Sequence, residues 1–132
     1  MKKLLVLLTS GSLLAFIIGS DTDLTGKWLM HQVIQDGQDV TAEHDPYDER
    51  YLILKSDSSF ESGGRPYGIN TGKYLFDPEE KTLFLDSDAG PEDDSHWNIS
   101  IRKDTMYLQG YGSEWAENFQ LIHVRDSVQP AP

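Results

Sequence analysis

Cysteine is absent from the 132-residue chain. The protein therefore has no disulfide bond, no thiolate zinc site and no cysteine nucleophile, and its fold depends on its own apolar core. Basic residues are also scarce, because 11 lysines and arginines face 22 aspartates and glutamates, for a formal charge of −11. Such a surface repels phosphate backbones and anionic lipid headgroups, which argues against a nucleic-acid partner and against binding to a bare anionic membrane.

Long apolar runs are missing except at the start of the chain, where residues 4–18 follow Lys2 and Lys3. About 15 apolar or small residues are fewer than the ~20 that a membrane-spanning helix needs. A basic start followed by such a run is typical of a secretory signal peptide. We therefore predict that residues 1–20 are a signal peptide. The protein is then exported, to the periplasm or outer membrane surface of a Gram-negative bacterium, or is secreted.

The end of this segment resembles a bacterial lipoprotein signal. Ile17-Ile18-Gly19 matches the residues that precede the lipidated cysteine in such signals, but Ser20 stands at the cysteine position. A serine hydroxyl cannot carry the thioether-linked lipid, so two interpretations remain open. Either the signal peptide is an ordinary one with a weak cleavage site, or an engineered change replaced a cysteine at position 20. A membrane contact is expected only in the second case, through the lipid anchor of the native cysteine.

The rest of the chain shows the pattern of an all-β protein. Short apolar segments recur about every ten residues between turn-forming residues, and no segment has the 3.6-residue period of an amphipathic helix. The pattern predicts about eight strands, at residues 24–35, 50–55, 59–62, 68–76, 81–86, 96–102, 105–110 and 118–125.

Short connections make successive strands antiparallel neighbours, and eight such strands leave exposed edges unless the sheet closes. We predict one domain at residues 21–126, an eight-stranded antiparallel up-and-down β-barrel, with residues 127–132 as a flexible tail. A two-sheet sandwich is the alternative, since residues 42–49 and 87–95 are long enough for a crossover.

Alternation along the strands selects the side chains that face the barrel interior. An inward Trp28 places Met30 and Ile34 inward as well. The other residues predicted to face inward are Trp97, Ile99, Ile101, Met106, Leu108, Phe119 and Leu121. If the barrel is hollow, we predict that a ligand contacts Met30, Trp97, Ile99, Met106, Leu108 and Phe119. A filled core is the alternative.

The first strand begins with Gly26-Lys27-Trp28, which resembles the Gly-x-Trp motif of lipocalins. Arg125, near the end of the last strand, resembles the arginine that packs across that tryptophan in the family. The similarity to small exported bacterial lipocalin-like domains extends over residues 23–126 and is carried further by residues 68–74, 85–94 and 110–119. It implies that Gly26 lets the chain bend into the barrel, that Trp28 plugs the floor, and that Arg125 caps the Trp28 ring. The family's long helix beside the last strand has no counterpart here.

The resemblance implies a protein of the cell envelope that binds a small hydrophobic or amphipathic ligand in its barrel. We expect the protein to be non-enzymatic, monomeric and without a cofactor. Trp115, in the loop at residues 112–117, does not fit the core pattern. It is expected either to cover a barrel end or to bind a partner protein. The alternative function is therefore a filled barrel that serves as an interaction subunit or inhibitor in an envelope complex.

Other polar groupings give little support for a chemical site. The acidic segment 86–94 resembles a calcium loop, but Pro91 and Trp97 occupy the positions where an EF-hand has glycine and glutamate, so we predict no metal. Ser113 lacks the flanking glycine of a nucleophile elbow. Carboxylate pairs such as Glu114 and Glu117 arise by chance among 22 acids. A hydrolase is the third and weakest hypothesis.

The histidines also lack the spacing of metal ligands, and we expect them to be ordinary surface imidazoles. They are His31, His44, His96 and His123.

Overall fold

The computed structural model describes residues 23–127. The predicted signal peptide with Ser20, and the tail from Val128 onward, lie outside these residues. The chain forms strands at β1 (Gly26–Gln35), β2 (Gln38–Asp39), β3 (Tyr51–Leu54), β4 (Ser59–Gly64), β5 (Tyr67–Asp77), β6 (Thr82–Ser87), β7 (Ser95–Arg102), β8 (Thr105–Tyr111) and β9 (Phe119–Arg125). Helix is limited, in the part of the chain described, to α1 (Thr41–His44) and two 3₁₀ turns, Pro91–Asp93 and Ala116–Asn118. The prediction of an all-β fold is confirmed.

Eight of the strands form a closed antiparallel barrel. β1 pairs with β3, β3 to β9 follow in chain order, and β9 returns to pair with β1. This last pairing removes the free edges of the sheet, so the prediction of an up-and-down barrel is confirmed and the sandwich alternative is wrong. β2 is a short addition that folds back on the end of β1 through Asp36 and Gly37. Both residues have positive φ angles, 53° and 79°, as a two-residue hairpin turn requires.

The two ends of the barrel differ in their connections. At one end, which we call the closed end, the strands are joined by short turns at residues 55–58, 78–81 and 103–104. At the other, which we call the open end, lie the longer segments at residues 36–50, 88–94 and 112–118. Binding residues concentrate in loops on a rigid scaffold, so a binding site is expected at the open end.

Large side chains fill the half of the barrel next to the closed end. Trp28, Leu54, Leu83 and Met106 are each 0% exposed, and Phe60 is 2% exposed. They pack in one cluster with Leu24, Leu52, Trp97, Ile99 and Leu108. Burial of each such side chain contributes about 1.5–3 kcal/mol, so this cluster makes a large contribution to the stability of the fold.

The predicted inward orientation of Ile34 is wrong, because β1 contains a bulge. The register of β1 against β9 shifts between Met30 and Gln32. One extra residue reverses the alternation beyond that point. Val33 is therefore 1% exposed inside the barrel, while Ile34 is only half-buried.

Within residues 23–127, no helix is long and apolar enough to cross a membrane.

Candidate functional site

The floor of the barrel is built around Trp28. Its indole Nε1 donates a hydrogen bond to the Leu24 carbonyl at 2.9 Å. The Arg125 guanidinium lies over the ring, with Cζ 4.1 Å from the ring centroid. Arg125 also donates to the carbonyls of Thr25 (2.7 Å) and Asp23 (3.0 Å), across about a hundred residues of chain. The contact between Arg125 and Trp28 is the one that the lipocalin resemblance implied, and it seals the closed end.

Gly26 permits this arrangement. Its φ is 127°, a backbone conformation that side chains disfavour. A Cβ atom there would lie 2.9 Å from Nη1 of Arg125. The glycine thus lets the guanidinium approach the start of β1.

The half of the barrel next to the open end is hollow. An inner chamber of about 150 Å3 lies below a wider mouth of about 380 Å3, and the two share Met30, Arg50, Asp93, Trp97 and Leu121 as walls. The inner chamber is completed by Tyr51, Leu52, Phe60, Ser62, Asn70, Leu85, Ser95, Leu108 and His123, and the mouth by Val33, His44, Tyr67, Trp115 and Phe119. The mouth reaches the lower end of the ~300–1,000 Å3 typical of small-molecule pockets.

Four of the six residues predicted to contact a ligand lie on this cavity. Met30, Trp97 and Leu108 line the inner chamber, and Phe119 lines the mouth. The other two, Ile99 and Met106, lie in the packed cluster of the closed half, and Met106 is 0% exposed. The structure does not bring these two to the cavity, because the interior is filled at their level.

Arg50 and Asp93 are the charged residues that border both chambers, and Arg50 carries the positive charge. It precedes β3 and continues the inward alternation of Leu52 and Leu54. Its Nη1 donates to the His44 carbonyl at 3.3 Å, and its guanidinium lies 4.3 Å from the ring centroid of Tyr67. Its Nε is buried and has no hydrogen-bond partner. Burial lowers the pKa of Arg50 from its ordinary value, yet an arginine stays protonated at neutral pH.

His123 is buried beside Arg50, contrary to the prediction of a surface imidazole. It is 3% exposed, and its Nδ1 has no hydrogen-bond partner. Burial, together with the charge of Arg50, lowers its pKa to about 3, so the imidazole is neutral at physiological pH. The sequence did contain a signal for burial, because His123 follows Phe119 and Leu121 at the two-residue period of inward positions in β9. Of the others, His31 and His96 are exposed and His44 is half-buried.

Polar side chains form one wall of the inner chamber. The Ser87 hydroxyl donates to the Asn70 side-chain oxygen at 2.6 Å, and the Trp97 indole donates to the Ser95 hydroxyl at 2.8 Å. Asp94, from the acidic segment, accepts the Ser87 backbone N–H at 2.7 Å. This acidic segment therefore shapes the open end through its own hydrogen bonds. Among residues 23–127, no cluster of three or more histidines or carboxylates could hold a metal ion.

Trp115 lies at the rim of the mouth and is 55% exposed. Its ring meets Phe119 edge to face, with centroids 5.6 Å apart, and Phe119 in turn meets His44 at 5.5 Å. The loop before β9 is held by the Ser113 hydroxyl, which accepts the Ala116 N–H at 3.3 Å. From this position Trp115 could cover the mouth or contact a partner protein, which are its two predicted roles.

Comparison with solved structures finds a similar fold. The chain is similar to a crystal structure of a DUF4847 family protein from Bacteroides vulgatus, with a TM-score of 0.59 at 11% sequence identity, over 84% of this chain and 99% of that one. At this identity the likeness shows the fold alone. No protein-family model matches the chain, and no curated protein matches it.

Proposed function

We propose that this protein is a non-enzymatic, monomeric, lipocalin-like binding protein of the bacterial cell envelope, and that it holds a small hydrophobic or amphipathic molecule in the open half of its barrel. The observation that carries the proposal is the cavity of about 380 Å3 at the open end, which continues into the inner chamber. Its apolar walls include Met30, Trp97 and Leu121, and methionine adapts to ligands of different shape. The sealed floor leaves the open end as the route of entry.

The arrangement of Gly26, Trp28 and Arg125 supports the lipocalin-like character of this proposal, because it couples the first strand to the last in the way the resemblance implies. Export, envelope location and the absence of catalysis follow from the signal-peptide pattern and from the lack of a recognisable catalytic grouping in the sequence.

A neutral apolar probe tests this function directly. N-phenyl-1-naphthylamine should gain fluorescence on binding to the purified protein. Leu121→Trp fills the space shared by both chambers and should abolish that gain. Leu75→Trp is the matched control, since Leu75 is 70% exposed on the outer face, and it should bind the probe like the parent protein. No binding by the parent protein, or equal binding by both variants, would contradict the proposal.

The exposure of Trp115 favours a second candidate function, docking onto an envelope partner protein. If docking is the function, a stoichiometric partner should co-purify from native membranes and should be lost with Trp115→Ala. Tyr107→Ala is the control, because Tyr107 is a partly exposed aromatic residue on the outer face of β8. Retention of the partner by the Trp115 variant would exclude docking through this residue.

A further inference from the structure

The outer wall of the barrel formed by β7, β8 and β9 has an unusual composition. The side chains that point outward from these strands include one arginine and no lysine, aspartate or glutamate, although the chain as a whole has 22 acidic residues. They are His96, Asn98, Ser100 and Arg102 on β7, Thr105, Tyr107, Gln109 and Tyr111 on β8, and Gln120, Ile122 and Val124 on β9. An outer wall that served solubility alone would carry charges of both signs. This wall is therefore a candidate binding surface.

A hollow of about 310 Å3 lies in this wall. The short side chains of Asn98 and Ser100 on β7 lie beside longer ones on β8, because Ser100 is paired with Tyr107 and Asn98 with Gln109. Tyr107 is 39% exposed and forms one side of the hollow. The lining is completed by Gln120 and Ile122, and between these outward side chains the hollow reaches Ile99, Leu108 and Leu121. It lies on the outside of the sheet and is therefore separate from the cavity in the barrel.

Neutral polar groups surround the Tyr107 ring in this hollow. The Gln109 amide donates to two backbone carbonyls around the start of β9, at 3.0 and 3.2 Å, and its oxygen accepts the Gln120 amide at 3.0 Å. These bonds fix the two amides on the wall. Within residues 23–127, the side chains of Asn98 and Ser100 and the Tyr107 hydroxyl have no hydrogen-bond partner. The hollow thus offers both donors and acceptors, without a charge, next to an exposed aromatic ring.

We infer that this hollow binds a neutral carbohydrate, with a sugar ring stacked on Tyr107 and its hydroxyl groups bonded to Asn98, Ser100 and Gln120. One face of a sugar ring carries C–H groups, which pack against an aromatic ring by dispersion. Sugar hydroxyls donate and accept hydrogen bonds, as the amides and hydroxyls of the hollow do. The site is independent of the ligand proposed for the barrel. It is also separate from Trp115, which lies in the loop beyond the end of β8.

Charge and polarity argue against other occupants of the hollow. An anionic polymer would be repelled by a protein of charge −11, and so would a second copy of this chain. A lipid or an apolar protein surface would cover Asn98 and Ser100 without giving them hydrogen bonds, which is unfavourable for buried polar groups. A neutral carbohydrate avoids both penalties, because it carries no charge and bonds to each polar group that it covers.

The test is a glycan array that carries neutral and anionic oligosaccharides, followed by calorimetric titration with the neutral oligosaccharide that gives the strongest signal. Tyr107→Ala should weaken that binding about tenfold or more, and Asn98→Ala about fivefold, as expected for the loss of a stacked ring and of a hydrogen bond. Tyr107→Phe keeps the ring and should stay within about threefold of the parent protein. Tyr47→Ala is the matched control, because Tyr47 is a 55% exposed tyrosine at the open end, and it should bind like the parent protein.

Several results would overturn this inference. They are the absence of binding to every neutral oligosaccharide on the array, binding to anionic oligosaccharides alone, and equal weakening by Tyr107→Ala and Tyr47→Ala. If analytical ultracentrifugation shows that the parent protein is a dimer and that Tyr107→Ala dissociates it, the wall binds a second copy and the inference is wrong. Should Tyr107→Ala not fold by circular dichroism, the comparison of Asn98→Ala with Tyr47→Ala decides, and equal affinities would overturn the inference.

Discussion

Replacement of Arg125 by methionine should destabilise the barrel by about 3 kcal/mol. The arginine makes two charge-assisted hydrogen bonds, to the carbonyls of Thr25 and Asp23 at 2.7 and 3.0 Å, and its guanidinium lies 4.1 Å from the Trp28 ring centroid. Arg125 is half-buried, so solvent weakens each interaction, and each of the three is worth about 1 kcal/mol. Methionine keeps the apolar contact with the ring, so the change reports mainly on these polar interactions.

The assay is urea unfolding followed by tryptophan fluorescence at neutral pH, since Trp28 senses the floor. Arg102→Met is the control, because Arg102 is exposed and its guanidinium lies 5.8 Å from the Tyr107 ring centroid on the outer face. That variant should change the free energy of unfolding by less than about 0.5 kcal/mol. A loss below about 1 kcal/mol for Arg125→Met, or equal losses for the two variants, would refute the argument that Arg125 fastens the first strand to the last.

Three further predictions test the barrel and its interior. Gly72→Ala should lower the free energy of unfolding by more than about 2 kcal/mol, measured by urea unfolding, because a methyl group there would overlap the Asp86 carbonyl oxygen. The pKa of His123 is lowered to about 3 in the folded state, so below about pH 6.5 the unfolded chain takes up a proton at this histidine that the folded protein does not. The free energy of unfolding should therefore be highest above pH 6.5 and should fall as the pH drops, by up to about 1.4 kcal/mol per pH unit. Between about pH 6.5 and 4.5, thermal unfolding should show this loss in the parent protein and in His31→Phe, but not in His123→Phe. Trp115→Ala should leave the thermal midpoint nearly unchanged, since the side chain is 55% exposed, and a shift of more than about 5 °C would place it in the core.

The fold was predictable because the local signals agree with one another. Apolar residues alternate with polar ones from Trp97 to Ile101, and the turn residues Asp36 and Gly37 have the positive φ angles that their types tolerate. The chain order of the strands then leaves closure as the way to remove free edges. The approach of Arg125 to Trp28 was accessible only through the lipocalin resemblance, because a contact across about a hundred residues leaves no local pattern.

The site was less predictable, for two physical reasons. A bulge inserts one residue without a sequence signature, so the alternation that places Met30 inside gives the wrong face for Ile34. Arg50 and His123 are polar, so the sequence analysis assigned neither of them to the barrel interior. Both nevertheless continue the inward alternation of their strands, Arg50 with Leu52 and His123 with Leu121. A strict reading of the two-residue period, applied to polar as well as apolar residues, would have placed both inside.

The buried polar atoms of Arg50 and His123 help to decide between the two candidate functions, ligand binding in the barrel and docking onto a partner protein. A buried donor or acceptor without a partner costs about 1–3 kcal/mol, a large part of the total stability of a small domain. A barrel that served only to present Trp115 to another protein would be more stable with apolar side chains at positions 50 and 123. Trp28, Leu54 and Met106 show that this barrel packs apolar residues tightly where nothing else is required. The contrast between the two halves therefore favours a binding function for the cavity, with Trp115 as part of its rim.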